Sequence, residues 1–147
     1  ILIIRGCGPV GYPGSAEVVN MQPPDRLLKK GITHLPTLGD GRQSGTSESP
    51  SILHVSPESA VGGDLGIVKT GDKMKIDLNK RRVDLLISQL EFKKRRKNKK
   101  LFKANNQTPW QEIFRDTVGQ LEDGACINSR GNYLDISNKK GLPRNSH

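Results

Sequence analysis

Six of the nine residues in Gly6-Cys-Gly-Pro-Val-Gly-Tyr-Pro-Gly14 are glycine or proline. No helix or strand runs through such a segment. Glycine raises the entropic cost of ordering the backbone, and proline lacks the amide proton that both kinds of ladder need. The segment is therefore a loop, and it follows directly on Ile1-Leu-Ile-Ile-Arg5, an apolar run that reads as a buried strand. A second polar, glycine-punctuated loop follows at Gly39-Asp-Gly-Arg-Gln-Ser-Gly-Thr-Ser47. Loops of this kind need a scaffold to hold them, and loops held by a scaffold are where chemistry is placed.

The remaining pattern supplies short elements only. A helix is expected around Glu17–Met21. A second is expected over 23–31, with its prolines in the first turn, Asp25 at the positive end and Gly31 as the stop. Thr33–Leu38 and Ile52–Val55 read as short strands, with a turn opening at Ser56-Pro-Glu58. Leu65–Lys69, Lys73–Leu78 and Arg82–Ile87 read as three strands joined by turns at 70–72 and 79–80. In the middle one Met74, Ile76 and Leu78 alternate with Lys73, Lys75 and Asp77. Ser88-Gln-Leu-Glu91 is a capping box. The helix it starts runs into Lys93–Lys100, which has no apolar face and is expected to fray. Thr108-Pro-Trp-Gln111 starts a further helix, in which Trp110, Ile113, Phe114, Val118 and Leu121 recur at helical spacing as core or docking surface before Gly124. The end of the chain, 128–147, is polar.

With 147 residues, the chain allows one domain at most, or part of a larger one. Hydrophobic residues are 33 %, thin for a self-sufficient core. No run approaches a membrane span. The four apolar residues at the start lack the basic leader of a signal peptide. A first residue Ile1, inside a strand and without Met, leads to the expectation of a fragment.

The net charge is +9. Residues 80–103 carry eleven basic and two acidic residues, so the whole excess lies in one segment. Nucleic-acid grooves spread their cations over a face and interleave aromatic or base-reading groups. Only Phe92 and Phe102 lie within this segment, so a solvated helix end with a linker is the favoured reading.

Other chemistries are weaker still. Gly6-Cys-Gly8-Pro-Val-Gly11 formally matches a dinucleotide fingerprint, but that site needs a helix opening among the glycines. Pro9 and Pro13 oppose it, and no strand-end acid follows about 20 residues on. Gln43-Ser44-Gly45 is not a hydrolase elbow, and His34, His54 and His147 are scattered, so no catalytic triad is supported. Cys7 and Cys126 are far apart, with no metal-ligand spacing.

At the two glycine loops the sequence resembles the dihydroxy-acid dehydratase / 6-phosphogluconate dehydratase family. The segments that carry the resemblance are Gly8-Pro-Val-Gly-Tyr-Pro-Gly-Ser-Ala-Glu17, Gly39-Asp-Gly-Arg-Gln-Ser-Gly45 and Ser56-Pro-Glu-Ser-Ala-Val-Gly-Gly63. Leu35-Pro36, Ser49-Pro-Ser-Ile-Leu53, Thr108-Pro-Trp-Gln-Glu112 and Gly141-Leu-Pro-Arg-Asn-Ser-His147 resemble its sugar-acid (aldonate) branch, exemplified by arabinonate dehydratases. The resemblance runs nearly end to end but covers only the C-terminal part of such an enzyme.

The resemblance implies a mixed α/β fold, a β-barrel-like swivelling C-terminal domain with flanking helices, incomplete in this chain. It implies a β-rich catalytic portion over 1–103, then a C-terminal helix and polar tail over 104–147. The activity implied is a hydro-lyase that converts a 2,3-dihydroxy carboxylic acid to a 2-keto-3-deoxy acid. The cofactors implied are Mg²⁺ and an iron–sulfur cluster, 2Fe-2S or 4Fe-4S, whose ligands lie upstream. Glu17 matches a Mg²⁺ ligand. Ser44 matches the base, acting as an alkoxide on the C2 proton, and Thr46 matches a nearby active-site hydroxyl. Also implied are a sugar-acid or branched-chain dihydroxy-acid substrate, a homodimer or homotetramer, and a cytoplasmic or mitochondrial-matrix location, with no membrane partner. Glu48 departs from the branch, where a small residue is usual, and a charge beside Ser44 opposes its deprotonation. The segment alone is expected to be inactive. A basic nucleic-acid-binding module and a degenerate pseudo-enzyme are the competing readings.

Overall fold

The computed structural model describes residues 1–15, 17–18, 23–44, 48–100, 102 and 105–128. Three strands, β1 (Leu2–Ile4), β3 (Thr37–Gly39) and β5 (Ser51–Ile52), form a parallel sheet in the order β1-β3-β5. Leu2, Ile3 and Ile4 stand opposite Thr37, Leu38 and Gly39, and Thr37 and Leu38 stand opposite Ser51 and Ile52. β2 (Glu17–Val18) and β4 (Arg42–Gln43) form a separate parallel pair. β6 (Met74–Asp77) and β7 (Arg82–Leu85) form an antiparallel hairpin. The helices are α1 (Asp25–Leu28), α2 (Gln89–Lys97) and α3 (Pro109–Thr117). The fold is thus mixed helix and sheet. The strands among the described residues make three small sheets, not a closed barrel.

The core lies between the parallel sheet and the hairpin. Leu38, Leu65 and Val68 are buried there, with Ile3, Ile52, Val55, Met74 and Leu85 packed around them. These side chains come from β1, β3, β5, β6, β7 and the segment between β5 and β6. Burial of their apolar surface is therefore what joins two sheets that share no backbone ladder.

Two expected elements take other forms. Glu17–Val18, expected to open a helix, is a strand paired with Arg42 and Gln43. Ser15 just before it has a positive φ of 45°, and the consecutive β-branched Val18 and Val19 favour an extended backbone. The rest of that expected helix lies outside the described residues. Leu65–Lys69, expected as a strand, is mostly a 3-10 turn over Asp64–Ile67. Leu65, Ile67 and Val68 are all buried, which a strand with one wet face does not allow. The amides close locally, Gly66 N–H on the Gly63 carbonyl and Val68 N–H on that of Leu65. The Arg5 guanidinium takes the Gly66 and Val68 carbonyls at 3.0 and 2.8 Å.

Other elements differ in extent. The strand expected over Thr33–Leu38 is confined to Thr37–Gly39, and that over Ile52–Val55 to Ser51–Ile52, ending before the positive φ of His54. Both anticipated helix caps form: the Ser88 side chain accepts from Glu91 N–H and that of Thr108 from Gln111 N–H. Helix α3 stops at Thr117. Gly124, with a φ of 84°, closes a following 3-10 turn, Leu121–Asp123.

The stripe on α3 divides. Phe114 is half-buried, while Trp110 and Ile113 are exposed, Trp110 meeting Phe114 edge to face at 4.8 Å. Helix α2 does not fray at Lys93 but continues to Lys97. Its Arg95 points back to the body of the protein and binds both Asp72 oxygens, at 2.6 and 3.1 Å, and Glu91 at 2.7 Å. A single inward cation replaces the missing apolar face. No helix among the described residues is long and apolar enough to cross a membrane.

Candidate functional site

The loops that follow β1 and β3 leave the same edge of the parallel sheet, the carboxyl end, where open α/β sheets place their ligands. Two buried carboxylates, Asp40 and Glu58, organise that edge, and each is fully inaccessible to solvent. Asp40 follows β3. Its Oδ1 accepts from Cys7 N–H at 3.0 Å, and its Oδ2 accepts from Gly6 N–H at 3.0 Å, Ser59 N–H at 2.8 Å and Ser59 Oγ–H at 2.6 Å. Glu58 accepts from Val10 N–H on Oε1 at 2.8 Å and from Gly11 N–H on Oε2 at 2.9 Å. A buried carboxylate is tolerable only with its lone pairs filled by donors, and here the donors are the amides of the glycine-rich loop. Turns too rich in glycine and proline to order themselves are ordered from outside.

The glycines are needed for close approach as well as for turning. A Cβ on Gly8 would press on the Glu58 side chain, 2.7 Å from its Cβ and Cδ, and one on Gly41 would stand 2.7 Å from Cys7 Cβ. Tyr12 N–H bonds the Gly8 carbonyl and Ser15 N–H that of Tyr12, both at 2.8 Å. This chain of turns delivers the backbone to Glu17 in β2.

The parallel pairing of β2 with β4 sets Glu17 opposite Arg42, and Ser44 follows β4 directly. The Glu17 carboxylate and the Arg42 guanidinium are both about half exposed and stand 4.0 Å apart, at the limit of an ion pair. Ser44 is half-buried. Gln43 beside it is buried, its Oε1 accepting from Ser51 Oγ–H at 2.6 Å, which fixes β4 against β5. Thr46 lies outside the described residues. Glu48 is turned to His34 Nε2 at 3.1 Å in an exposed pair.

A half-exposed carboxylate in so long an ion pair has the donor chemistry that Mg²⁺ favours, but a hard cation wants several oxygens. No group of three His, Cys, Asp or Glu gathers among the described residues. Glu17 therefore fits as one ligand of a site completed elsewhere. An iron–sulfur cluster needs several thiolates, and the cysteines here do not suit it. Burial, helped by the charge of Asp40, pushes the Cys7 thiol pKa up, and Cys126 is exposed, its Sγ facing the Gly124 carbonyl at 3.6 Å.

Among the described residues, four cations of the basic segment engage the protein itself through their side chains. Besides Arg95, Arg96 meets Asp64 at 3.1 Å, Arg82 meets Asp84 at 2.7 Å, and Lys99 Nζ donates to the Gly63 carbonyl at 2.6 Å. A cavity of about 580 Å³ lies between α2 and the Arg5–Gly6 backbone, lined in part by Lys69, Lys94, Lys99 and Lys100.

Of the positions singled out in sequence, the structure thus pairs Glu17 with Arg42, two residues before Ser44, which follows the paired strand. The carboxylates that set the loop were missed as positioning groups. Asp40 stood out only as one polar residue among glycines, and Glu58 only within Ser56-Pro-Glu58. The available signal was an acid beside loops whose amides had no evident partners.

Comparison with known proteins bears on this geometry. The family model described as dihydroxy-acid/6-phosphogluconate dehydratase C-terminal matches residues 1–125. The chain is 54 % identical to D-xylonate dehydratase of Caulobacter vibrioides over all 147 residues, which is 24 % of that protein. It is 48 % identical to L-arabinonate dehydratase of Rhizobium leguminosarum bv. trifolii over 95 residues, 65 % of this chain and 16 % of that protein. It is 39 % identical to dihydroxy-acid dehydratase of Thermodesulfovibrio yellowstonii over 128 residues, 86 % of this chain and 23 % of that one. The chain spans at most about a quarter of the length of these curated relatives.

Proposed function

We propose, for a chain that belongs to the dihydroxy-acid/6-phosphogluconate dehydratase family, that it forms the C-terminal catalytic portion of a hydro-lyase acting on a 2,3-dihydroxy sugar acid. The observation that carries this reading is the parallel pairing of β2 and β4, which joins Glu17 to the strand leading into Ser44. The sugar-acid branch is preferred to branched-chain dihydroxy acids because the match to a D-xylonate dehydratase covers the whole chain.

In this reading Ser44 Oγ takes the proton from C2 of the substrate. The C–H electrons form the C2–C3 double bond, and the C3 hydroxyl leaves with its bonding pair. The proton taken up by Ser44 is returned to it, so that water is released and the alkoxide regenerated, and the enol ketonises to the 2-keto-3-deoxy acid. A serine is a weak base, so its alkoxide needs neighbouring donors or a cation. Arg42, two residues before Ser44 and paired with Glu17, is the nearest cation in sequence that could serve this need. Glu17 would hold Mg²⁺ together with oxygen ligands from the rest of the polypeptide, and the ion would supply stabilisation of the charge that develops on the substrate carboxylate. The chain's own cysteines supply no iron–sulfur site, so assistance to the departing 3-hydroxyl comes from outside this segment. The Glu48–His34 pair weighs against the pseudo-enzyme reading, because it takes the Glu48 charge onto a partner of its own.

The test is Ser44→Ala in the intact polypeptide that contains this segment, with exchange of the substrate C2 proton for deuterium followed by NMR. The expected result is loss of exchange with substrate affinity retained. Exchange that survives would remove Ser44 as the base.

A further inference from the structure

Val10, in the middle of the glycine-rich loop, is held on both sides of its backbone. Its N–H donates to Glu58 Oε1 at 2.8 Å, and its carbonyl accepts from Arg115 Nε at 2.8 Å across 105 residues of sequence. The same Glu58 Oε1 accepts from Gln120 Nε2 at 3.0 Å, while Glu58 N–H donates back to Gln120 Oε1 at 3.1 Å. Arg115 lies on α3 and Gln120 just beyond it. Arg115 is braced by Asn106 and lies over the Phe102 ring, 5.8 Å from its centroid. Helix α3 buries little of its own apolar stripe, yet it places two long polar side chains on the loop that leads to Glu17.

We infer that Arg115 and Gln120 are positioning residues for Glu17, acting through the glycine-rich loop as a latch supplied by the C-terminal helical segment. This rests on the reading of Glu17 as a metal ligand. The physical argument is that a loop of glycines and prolines has no rigidity of its own. Its conformation is whatever external bonds impose, and five hydrogen bonds converge on Val10, Gly11 and Glu58. From there the Gly8–Tyr12 and Tyr12–Ser15 turns carry the constraint to β2. Residues behind a metal ligand commonly affect metal affinity roughly 10- to 100-fold. A loosened loop should therefore raise the metal concentration needed, more than it lowers turnover at saturating metal.

The experiment uses the intact polypeptide with Gln120→Leu, Arg115→Met, and the exchange Glu58→Gln with Gln120→Glu, beside the control Ile113→Ala on the exposed face of α3. Three readouts are taken: amide hydrogen exchange at Val10 and Gly11, Mn²⁺ binding followed by electron paramagnetic resonance, and the Mg²⁺ dependence of turnover. For Gln120→Leu and Arg115→Met the expected result is faster exchange at both amides and a roughly 10-fold weaker metal. Turnover at saturating Mg²⁺ should change much less. The double exchange keeps a bond between side chains 58 and 120 but turns its NH₂ group on the Val10 N–H, so exchange at Val10 should stay fast, while Ile113→Ala should match the parent. Unchanged metal binding with merely lowered thermal stability in Gln120→Leu would overturn the latch. If that variant fails to fold, Arg115→Met, which leaves Glu58 and Gln120 in place and removes from the loop only the bond to the Val10 carbonyl, decides by the same criteria. Metal binding that Glu17→Gln leaves intact would instead overturn the metal-ligand reading on which the latch rests.

Discussion

Glu58 and Gln120, 62 residues apart in sequence, exchange two hydrogen bonds: the Gln120 amide donates to Glu58 Oε1 at 3.0 Å, and the Glu58 backbone N–H donates to Gln120 Oε1 at 3.1 Å. The pair closes over a carboxylate that solvent does not reach, so every donor to it comes from the protein.

Glu58→Gln keeps the shape and removes one acceptor, setting an NH₂ group against the N–H of Val10 or Gly11. The expected cost is about 1–3 kcal/mol, that of a buried donor left unsatisfied. Glu58→Ala should cost more, because it strands both amides. Native-state hydrogen exchange at Val10 and Gly11 checks this, and protection that survives Glu58→Ala would show that another group holds the loop.

Asp40→Asn should change the reactivity of Cys7. Burial first, and the Asp40 charge second, raise the Cys7 pKa above its ordinary value. Removing the charge takes away one cause and leaves the other. The pH at which Cys7 begins to react with iodoacetamide should therefore move down in the variant while staying above that of an exposed thiol. The parent protein should show Cys126, which is exposed, alkylated first. An identical profile in Asp40→Asn would mean that the Asp40 charge does not reach the sulfur.

The docking of α2 should depend on acid. Hydrogen bonds from Arg95 to both carboxylates, then for Asp72 the hydrogen bond from the Lys69 N–H, hold Asp72 and Glu91 below the ordinary carboxylate range, and the Arg95 contacts raise the Arg95 pKa. A depressed carboxylate contributes stability that is complete above its unfolded pKa and lost as pH falls through the folded one. The contribution should thus be full above about pH 5 and decline below about pH 4. Carboxyl carbon NMR titration of Asp72, with amide exchange in α2, would follow it. In Arg95→Met the pH dependence should shrink to the part that the Lys69 N–H bond to Asp72 supplies, and α2 should fray from Lys93 onward.

Glu48→Ala should be nearly silent. The Glu48–His34 pair is exposed on both sides, and such pairs contribute about 0–1 kcal/mol. C2 proton exchange by the intact polypeptide should stay within about 5-fold of the parent. A large rise in rate would show that the Glu48 charge does reach Ser44.

Much of this was legible locally. Ser88 and Thr108 announce their helices because a cap is a contact between residues three apart. The hairpin of β6 and β7 shows in the alternation of Met74, Ile76 and Leu78 with charged residues. Glu17 and Ser44 stand out through their loops. What failed were elements whose form depends on distant partners. Glu17–Val18 is extended because Arg42–Gln43 lies beside it, and Asp64–Ile67 coils because Leu65, Ile67 and the following Val68 are all buried. Helix α2 persists because Arg95 finds Asp72 across 23 residues.

By itself the amino-acid sequence determined that two loops could not order themselves, that all the excess charge sits in residues 80–103, and which family the chain resembles. Only the tertiary structure decided what holds the loops. Asp40 and Glu58 are ordinary surface residue types, and nothing within a few positions of either shows that it will be buried against the amides of Gly6, Cys7, Val10 and Gly11. The reason is physical. Propensity and capping act between near neighbours, whereas a buried charge is set by whichever donors the folded chain brings to it, and here those arrive from 19 to 62 residues away.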